Sequence, residues 1–204
     1  MRMGPVYARR MNYELFYWPT IQGRGEFVRL ALEEAAAPYV DVARKPESEG
    51  GGVGALMRVM GDEAVSPPPF APPFLRAGSL VIAQTANILA FLAPKHGLVP
   101  IDEAARVAAW QLQLTITDFV SEIHDVHHPI SSGLYYEDQK PEALRRAKAF
   151  TSERMPKFLS YFERAIERNP KGNGAHAIGD ALSYVDLSLF QVMSGLSYAF
   201  PKAL

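Results

Sequence analysis

Cysteine is absent from the 204 residues. That one absence excludes disulfide scaffolds, Cys-ligated zinc, iron–sulfur clusters and a protein-cysteine nucleophile. Any thiol chemistry must arrive with a cosubstrate. A charge excess is missing too: 21 Lys and Arg stand against 22 Asp and Glu, so the basic footprint of a nucleic-acid binder is lacking. No apolar run approaches the roughly 20 residues needed to span a bilayer, which argues against an integral membrane protein. The opening ten residues are basic but have no apolar core, so they do not read as a secretory signal. What is present, 48% hydrophobic and 11% aromatic residues, is the composition of an ordered globular chain of one large or two small domains.

Residues 13–17, Tyr-Glu-Leu-Phe-Tyr, are rich in strand formers, and Trp18-Pro19 should end the strand. Gly23 and Gly25 punctuate a loop, and a helix pattern runs from about Glu26 to Ala36, with Pro38 closing it. Tyr39 to Val42 reads as a second strand, so the order favours a right-handed βαβ unit with a parallel pair. Gly50, Gly51, Gly52 and Gly54 predict a mobile loop, followed by a short helix from Ala55 to Met60. Phe74-Leu75 and Leu80-Val81-Ile82 flank a turn at Arg76-Ala77-Gly78, a hairpin signal. A helix follows from Thr85 to Leu92, and Pro94 and Pro100 bracket a connector. Beyond it the pattern is helical throughout: Ala104 to about Val126, then a stripe from Leu144 to Phe162 that Pro156 should kink or break, then a helix from near Ser183. The chain therefore divides into an α/β half of about 80–90 residues and an all-helical half, each of ordinary domain size.

Three motifs stand out. Phe16-Tyr17-Trp18 is followed by Gly23-Arg24-Gly25-Glu26 and Val28-Arg29-Leu30. Pro72-Pro73-Phe74-Leu75 is followed by Gln84-Thr85, eleven and twelve residues beyond Pro73. Gly179 precedes Leu182-Ser183-Tyr184-Val185-Asp186-Leu187, in which Ser183 and Asp186 have the spacing of an N-terminal capping box with Leu182 and Leu187 at the staple positions. Each motif also has an ordinary reading, as strand-end packing, as a helix start after a hairpin, or as a helix cap.

Together with the element order, these motifs resemble the cytosolic glutathione transferases of the tyrosine type. The resemblance implies an α/β thioredoxin-like N-terminal domain followed by an all-α helical bundle. Its boundaries here would be a flexible extension over 1–11, a glutathione-binding domain over 12–93, a linker over 94–103 and the helical domain over 104–204. The chain stops at Leu204, where family members continue through at least one more helix, so the helical domain is expected to lack its last helices.

The resemblance also implies roles. Tyr17 would stabilise the glutathione thiolate, with Arg24 adding positive potential. Pro73 would be the family's cis-proline, and Pro72 would meet the cysteinyl unit with its backbone. Because Pro72 has no N–H, one of the two expected backbone hydrogen bonds cannot form there. Gln84 and Thr85 would hold the γ-glutamyl group, whose carboxylate suits a helix N-terminus. Arg58, chosen over Arg44 and Lys45, would meet the glycine carboxylate, and Asp118 the γ-glutamyl amine across a dimer interface. Ser183 and Asp186 would cap a core helix and do no chemistry. Glutathione is then the cosubstrate, no metal is expected, and the partners are a small hydrophobic electrophile and a second copy of the chain, in the cytoplasm and in a detoxifying role.

The chemistry follows from the thiol. A free thiol of pKa near 8.5 is only about 3% thiolate at pH 7, and the thiolate is the nucleophile. A phenol O–H donated to sulfur, beside the positive end of a helix, raises that fraction. His124-Asp125-Val126-His127-His128-Pro129 is open to three readings: helix C-terminal capping, a polarising pair in an electrophile pocket with Trp18, or a metal site built on the i, i+4 histidines His124 and His128. The rival to an enzyme is a binding protein of the same fold that retains glutathione or an apolar ligand without turnover.

Overall fold

The computed structural model describes residues 12–204, so the expectation for 1–11 lies outside the described residues. The described chain forms two compact units that divide between Leu98 and Val99.

The first unit is built on a four-stranded sheet of order β2-β1-β3-β4, comprising β1 (Tyr13–Phe16), β2 (Tyr39–Asp41), β3 (Phe74–Ala77) and β4 (Leu80–Ala83). β1 pairs in parallel with β2 and antiparallel with β3, and β3 and β4 form the hairpin that Gly78 turns at φ +65°. Because successive side chains point to opposite faces, Tyr13, Leu15, Leu75 and Ala77 pack with Val28 and Leu32 of α1 (Gly23–Glu34) and Ile88 and Leu92 of α3 (Thr85–His96). Phe16 and Phe74, stacked at 4.7 Å, pack on the other face with Ala55, Leu56 and Val59 of α2 (Gly52–Met60). This is the thioredoxin-like arrangement that the resemblance implied.

Three helix boundaries differ from the sequence reading. α1 begins at Gly23, not near Glu26, so the two loop glycines lie in its first turn. α2 begins at Gly52 and absorbs half of the glycine run that was expected to be a loop, with Gly50 and Gly52 both at φ +76° making the bend before it. α3 continues through Pro94 to His96, and Gly97 at φ +71° ends it. Pro94 gives up the hydrogen bond to the Ala90 carbonyl and crowds it with its ring, yet the burial of Leu92 and Ala93 holds the last turn in place.

The second unit is helical, and no strand follows β4 among the described residues. α4 (Glu103–His127) packs with α5 (Lys140–Ala149) and α7 (Tyr184–Ala199), and Asp102 caps it by accepting the Ala105 N–H at 2.9 Å. Phe119 anchors the core, stacked on Phe158 at 4.3 Å and near Phe150 and Phe162. The expected break at Pro156 is a wide π-helical turn over Phe150–Arg154, after which α6 (Met155–Glu167) starts with the proline in its first turn. The wider turn relieves the clash of a proline ring with the carbonyl four residues earlier.

Candidate functional site

Strand register brings the first two motifs to one end of the sheet. Phe16 faces Phe74, and Phe74 faces Ala83. The residues one step beyond that row are Tyr17, Pro73 and Gln84, on three adjacent strands about 4.8 Å apart. The Pro72–Pro73 peptide is cis.

Tyr17 is 5% exposed, and its ring lies against the first turn of α1. The Arg24 backbone N–H donates to its hydroxyl oxygen at 2.9 Å. The N-cap residue of α1, Gln22, makes no side-chain cap, so the phenol oxygen satisfies one of the donors that every helix start leaves open. The ring fits only because Gly23 and Gly25 have no Cβ: one added at Gly23 would collide with the hydroxyl, and one at Gly25 with the ring itself. Arg24 thus serves Tyr17 through its backbone, and its half-buried side chain is not what holds the phenol. The indole of Trp18 beside it is 36% exposed.

Gln84 is the N-cap of α3 but makes no side-chain cap, and its backbone sits at φ +71° and ψ 121°. Positive φ at a non-glycine residue is strained and tends to mark functional positions. Thr85 does not cap α3 either. Its hydroxyl donates to the Arg24 carbonyl at 3.5 Å, linking the starts of α3 and α1. The first-turn donors of α3 are therefore left without a side-chain acceptor beside an exposed amide, the arrangement a carboxylate needs.

The three candidate cations separate. Arg58 is exposed on α2 and lines a polar cavity of about 310 Å³ with Glu14, Asp62 and Arg76, where Arg76 and Glu14 pair at 2.9 Å. Lys45 lies 3.8 Å from Glu49. Arg44 is the one that touches the segment after Tyr17, donating to the Pro19 carbonyl at 3.3 Å.

Sequence reasoning missed Arg29. It is 4% exposed, its Nε donates to Asp41 at 2.7 Å and its Nη1 to Glu26 at 2.9 Å, and its guanidinium carbon lies 5.7 Å from the centre of the Tyr17 ring. Burial works against the charge, but the bonds and charges of Asp41 and Glu26 outweigh it and hold the group above its ordinary range. The sequence had placed it in the first motif without giving it a role, and the i, i+3 spacing of Glu26 and Arg29 was the local sign of a pair.

In the helical unit, Ser183 and Asp186 form the reciprocal box at the start of α7. Asp186 accepts from the Ser183 N–H at 2.8 Å, the Ser183 hydroxyl at 2.7 Å and the Ala177 N–H at 2.7 Å. His124 and His127 occupy the last turn of α4, and His128 is its C-cap. The His124 and His128 rings stack at 5.0 Å, and His124 Nδ1 is 3.3 Å from the Asp125 carboxylate. His127 instead packs against Tyr136 and Phe200. Among the described residues no group of three or more His, Cys, Asp or Glu is placed to hold a metal ion. Asp118 is exposed on α4, while Glu122 is engaged by Arg154 at 2.6 Å. Two clefts of this unit, about 680 and 420 Å³, are lined by residues of α4, α6, α7 and the segment around 169–180; His124, Asp125 and His128 line neither.

A thioredoxin-like unit with a cis-proline beside a strand-end tyrosine, joined to a helical unit, defines the fold class of the glutathione transferases. Residues 124–204 match the family described as glutathione S-transferase, C-terminal domain. The curated glutathione S-transferase of Plasmodium yoelii yoelii is 23% identical over 65% of this chain, and the match spans 55% of that relative's length. The glutathione S-transferase of Plasmodium falciparum (isolate 3D7) is 22% identical over 95% of this chain and 84% of the relative. The solved Pi-class glutathione S-transferase of Onchocerca volvulus superposes with a TM-score of 0.69 at 23% identity, covering 95% of this chain and 81% of that one. The chain is thus similar to glutathione S-transferases in the sequence of its C-terminal part and shares their fold.

Proposed function

We propose that the protein is a glutathione transferase that activates the glutathione thiol with the Tyr17 hydroxyl, for conjugation to, or reduction of, a small apolar electrophile. The observation that carries this reading is the row of Tyr17, Pro73 and Gln84 at one end of the sheet, flanked by the starts of α1 and α3. Tyr17 accepts from Arg24, which leaves its O–H for donation to a sulfur. Donation to the thiolate lowers the pKa of the thiol, and each unit is about 1.4 kcal/mol. Gln84 and the first-turn N–H groups of α3 would take the γ-glutamyl carboxylate, with Thr85 fixing the start of that helix against Arg24. The backbone at Pro72 would meet the cysteinyl unit through its carbonyl alone. Arg58 stays the assigned partner of the glycine carboxylate, with Arg44, which touches the Tyr17 loop, as its competitor. Binding would hold the thiolate beside the electrophile, for which Trp18 is the proposed lining on the first unit.

We also infer a homodimer in the cytoplasm, where the glutathione pool is reduced. Val107, Trp110 and Leu114 leave an apolar stripe exposed on α4, and Asp118 continues that helix for a contact with the partner's γ-glutamyl amine. None of the described helices is long and apolar enough to cross a membrane.

The test is ultraviolet difference spectroscopy of glutathione titrated with the protein over pH 5–9, beside Tyr17→Phe. Thiolate absorbance at a pH where free glutathione has little, lost in the variant, is the expected result. Binding with an unshifted thiol would leave the non-catalytic binding protein, which the missing Pro72 donor favours. No binding would end both readings.

A further inference from the structure

Arg29 is engaged on two of its three guanidinium nitrogens, by Asp41 and Glu26, while Nη2 is buried without a partner among the described residues. A clamp whose only task was to join α1 to β2 would gain by satisfying that donor, because an unpaired buried donor costs stability. The position of the group suggests what the arrangement serves. Gly25 and Arg29 are i and i+4, hence on one face of α1. Gly25 clears the backbone for the Tyr17 ring, and the guanidinium lies 5.7 Å from the ring centre, within reach of a cation–π contact.

We propose that Arg29 is a positioning residue for Tyr17: locked by Asp41 and Glu26, its guanidinium packs on the phenol ring and holds the hydroxyl in the orientation that donates to a glutathione sulfur. The proposal rests on the Tyr17 reading above. Arg29 touches no substrate in it, and acts only through the ring.

The experiment measures the pH at which bound glutathione becomes half thiolate in the wild type, Arg29→Met, Arg29→Lys, Tyr17→Phe and the Tyr17→Phe/Arg29→Met double variant. Arg29→Met is expected to raise the midpoint by about one pH unit, roughly tenfold less thiolate below it. KM for glutathione should move less than twofold, and Arg29→Lys should recover part of the shift. In the Tyr17→Phe background the same change should do nothing. An equal shift in both backgrounds, or none with Tyr17 present, overturns the proposal.

Failure of the underlying reading looks different: wild type and Tyr17→Phe would then share one midpoint. The ring contact has a readout of its own, the Cζ resonance of Tyr17 in the free protein. It should move in Arg29→Met, and an unmoved resonance also overturns the proposal. Should Arg29→Met unfold because Glu26 loses its cation and Asp41 keeps only Arg44, at 3.4 Å, Glu26→Gln/Arg29→Met/Asp41→Asn, which leaves only the exposed Arg44 without its carboxylate, replaces it in each comparison.

Discussion

The Cα of Gly25 lies so close to Tyr17 that a Cβ there would overlap the phenol ring and approach the tyrosine's own Cβ to 2.9 Å. Gly25→Ala therefore sets two effects against each other. Alanine favours a helix by up to about 1 kcal/mol over glycine. Overpacking a buried ring costs about 1–3 kcal/mol, and neither the helix backbone nor the buried Tyr17 can move freely. The clash should win. Chemical denaturation is expected to show net destabilisation, and the bound glutathione thiol should lose its shift along with the displaced phenol. A Gly25→Ala protein as stable as the wild type with full thiolate would show that the ring has other places to go.

Gln84 offers the opposite trade. Its φ of +71° costs a non-glycine residue about 1–3 kcal/mol, and its exposed side chain makes no cap for α3. Gln84→Gly should relieve that strain, raising the denaturation midpoint while weakening glutathione binding through loss of the amide. Calorimetric titration beside a melting curve would check both. A variant that loses stability would mean that the side chain supports the fold rather than a ligand.

The strands, the βαβ unit, the hairpin and the long α4 are legible because their hydrophobic periods are local. The same holds for Ser183 and Asp186, whose box needs only three residues of spacing. Gly23 and Gly25 mislead for a physical reason. Glycine is a poor helix former, and the need for it here arises from the Tyr17 ring, six and eight residues earlier in the chain. Arg29 stands in the first motif, but its pairing is not legible there because Asp41 arrives only when β2 pairs with β1. Pro94 reads as a stop, yet the buried turn around it carries the helix on to His96. Thr85 has the residue type of an N-cap, but its hydroxyl is drawn to Arg24, a contact across 61 residues that no local pattern encodes.

Asp186 should be the more costly half of the α7 cap. Ser183→Ala removes a hydroxyl that accepts the Asp186 N–H at 3.4 Å, and an N-cap of this kind is worth about 0.5–2 kcal/mol. Asp186→Ala also strands the N–H groups of Ala177 and Ser183, the latter in a residue only 1% exposed. Thermal unfolding should therefore fall further for Asp186→Ala than for Ser183→Ala. Glutathione binding in the folded protein should be unchanged, because the hydrogen bonds of the cap all lie within the helical unit. Equal losses for the two variants would mean that the Ala177 bond contributes nothing.

Acid should weaken the fold in two separate windows. Burial, helped by Lys95, holds the His96 imidazole below its ordinary 6.5, and Nε2 lies 3.0 Å from the Tyr13 hydroxyl. The unfolded chain then takes up the proton first. This stability is intact above pH 6.5 and is lost as pH falls through the lower folded value. Glu122 is held below its ordinary 4.5 chiefly by its hydrogen bond from Arg154, against an opposing effect of burial. Its contribution is intact above pH 4.5 and disappears on further acidification. Urea midpoints measured from pH 8 down to pH 3 should decline in both ranges. His96→Gln, which cannot titrate, should flatten the first decline and leave the second. Glu122→Gln should lower stability at neutral pH and flatten the second alone. A first decline that survives His96→Gln would show that His96 is not its source.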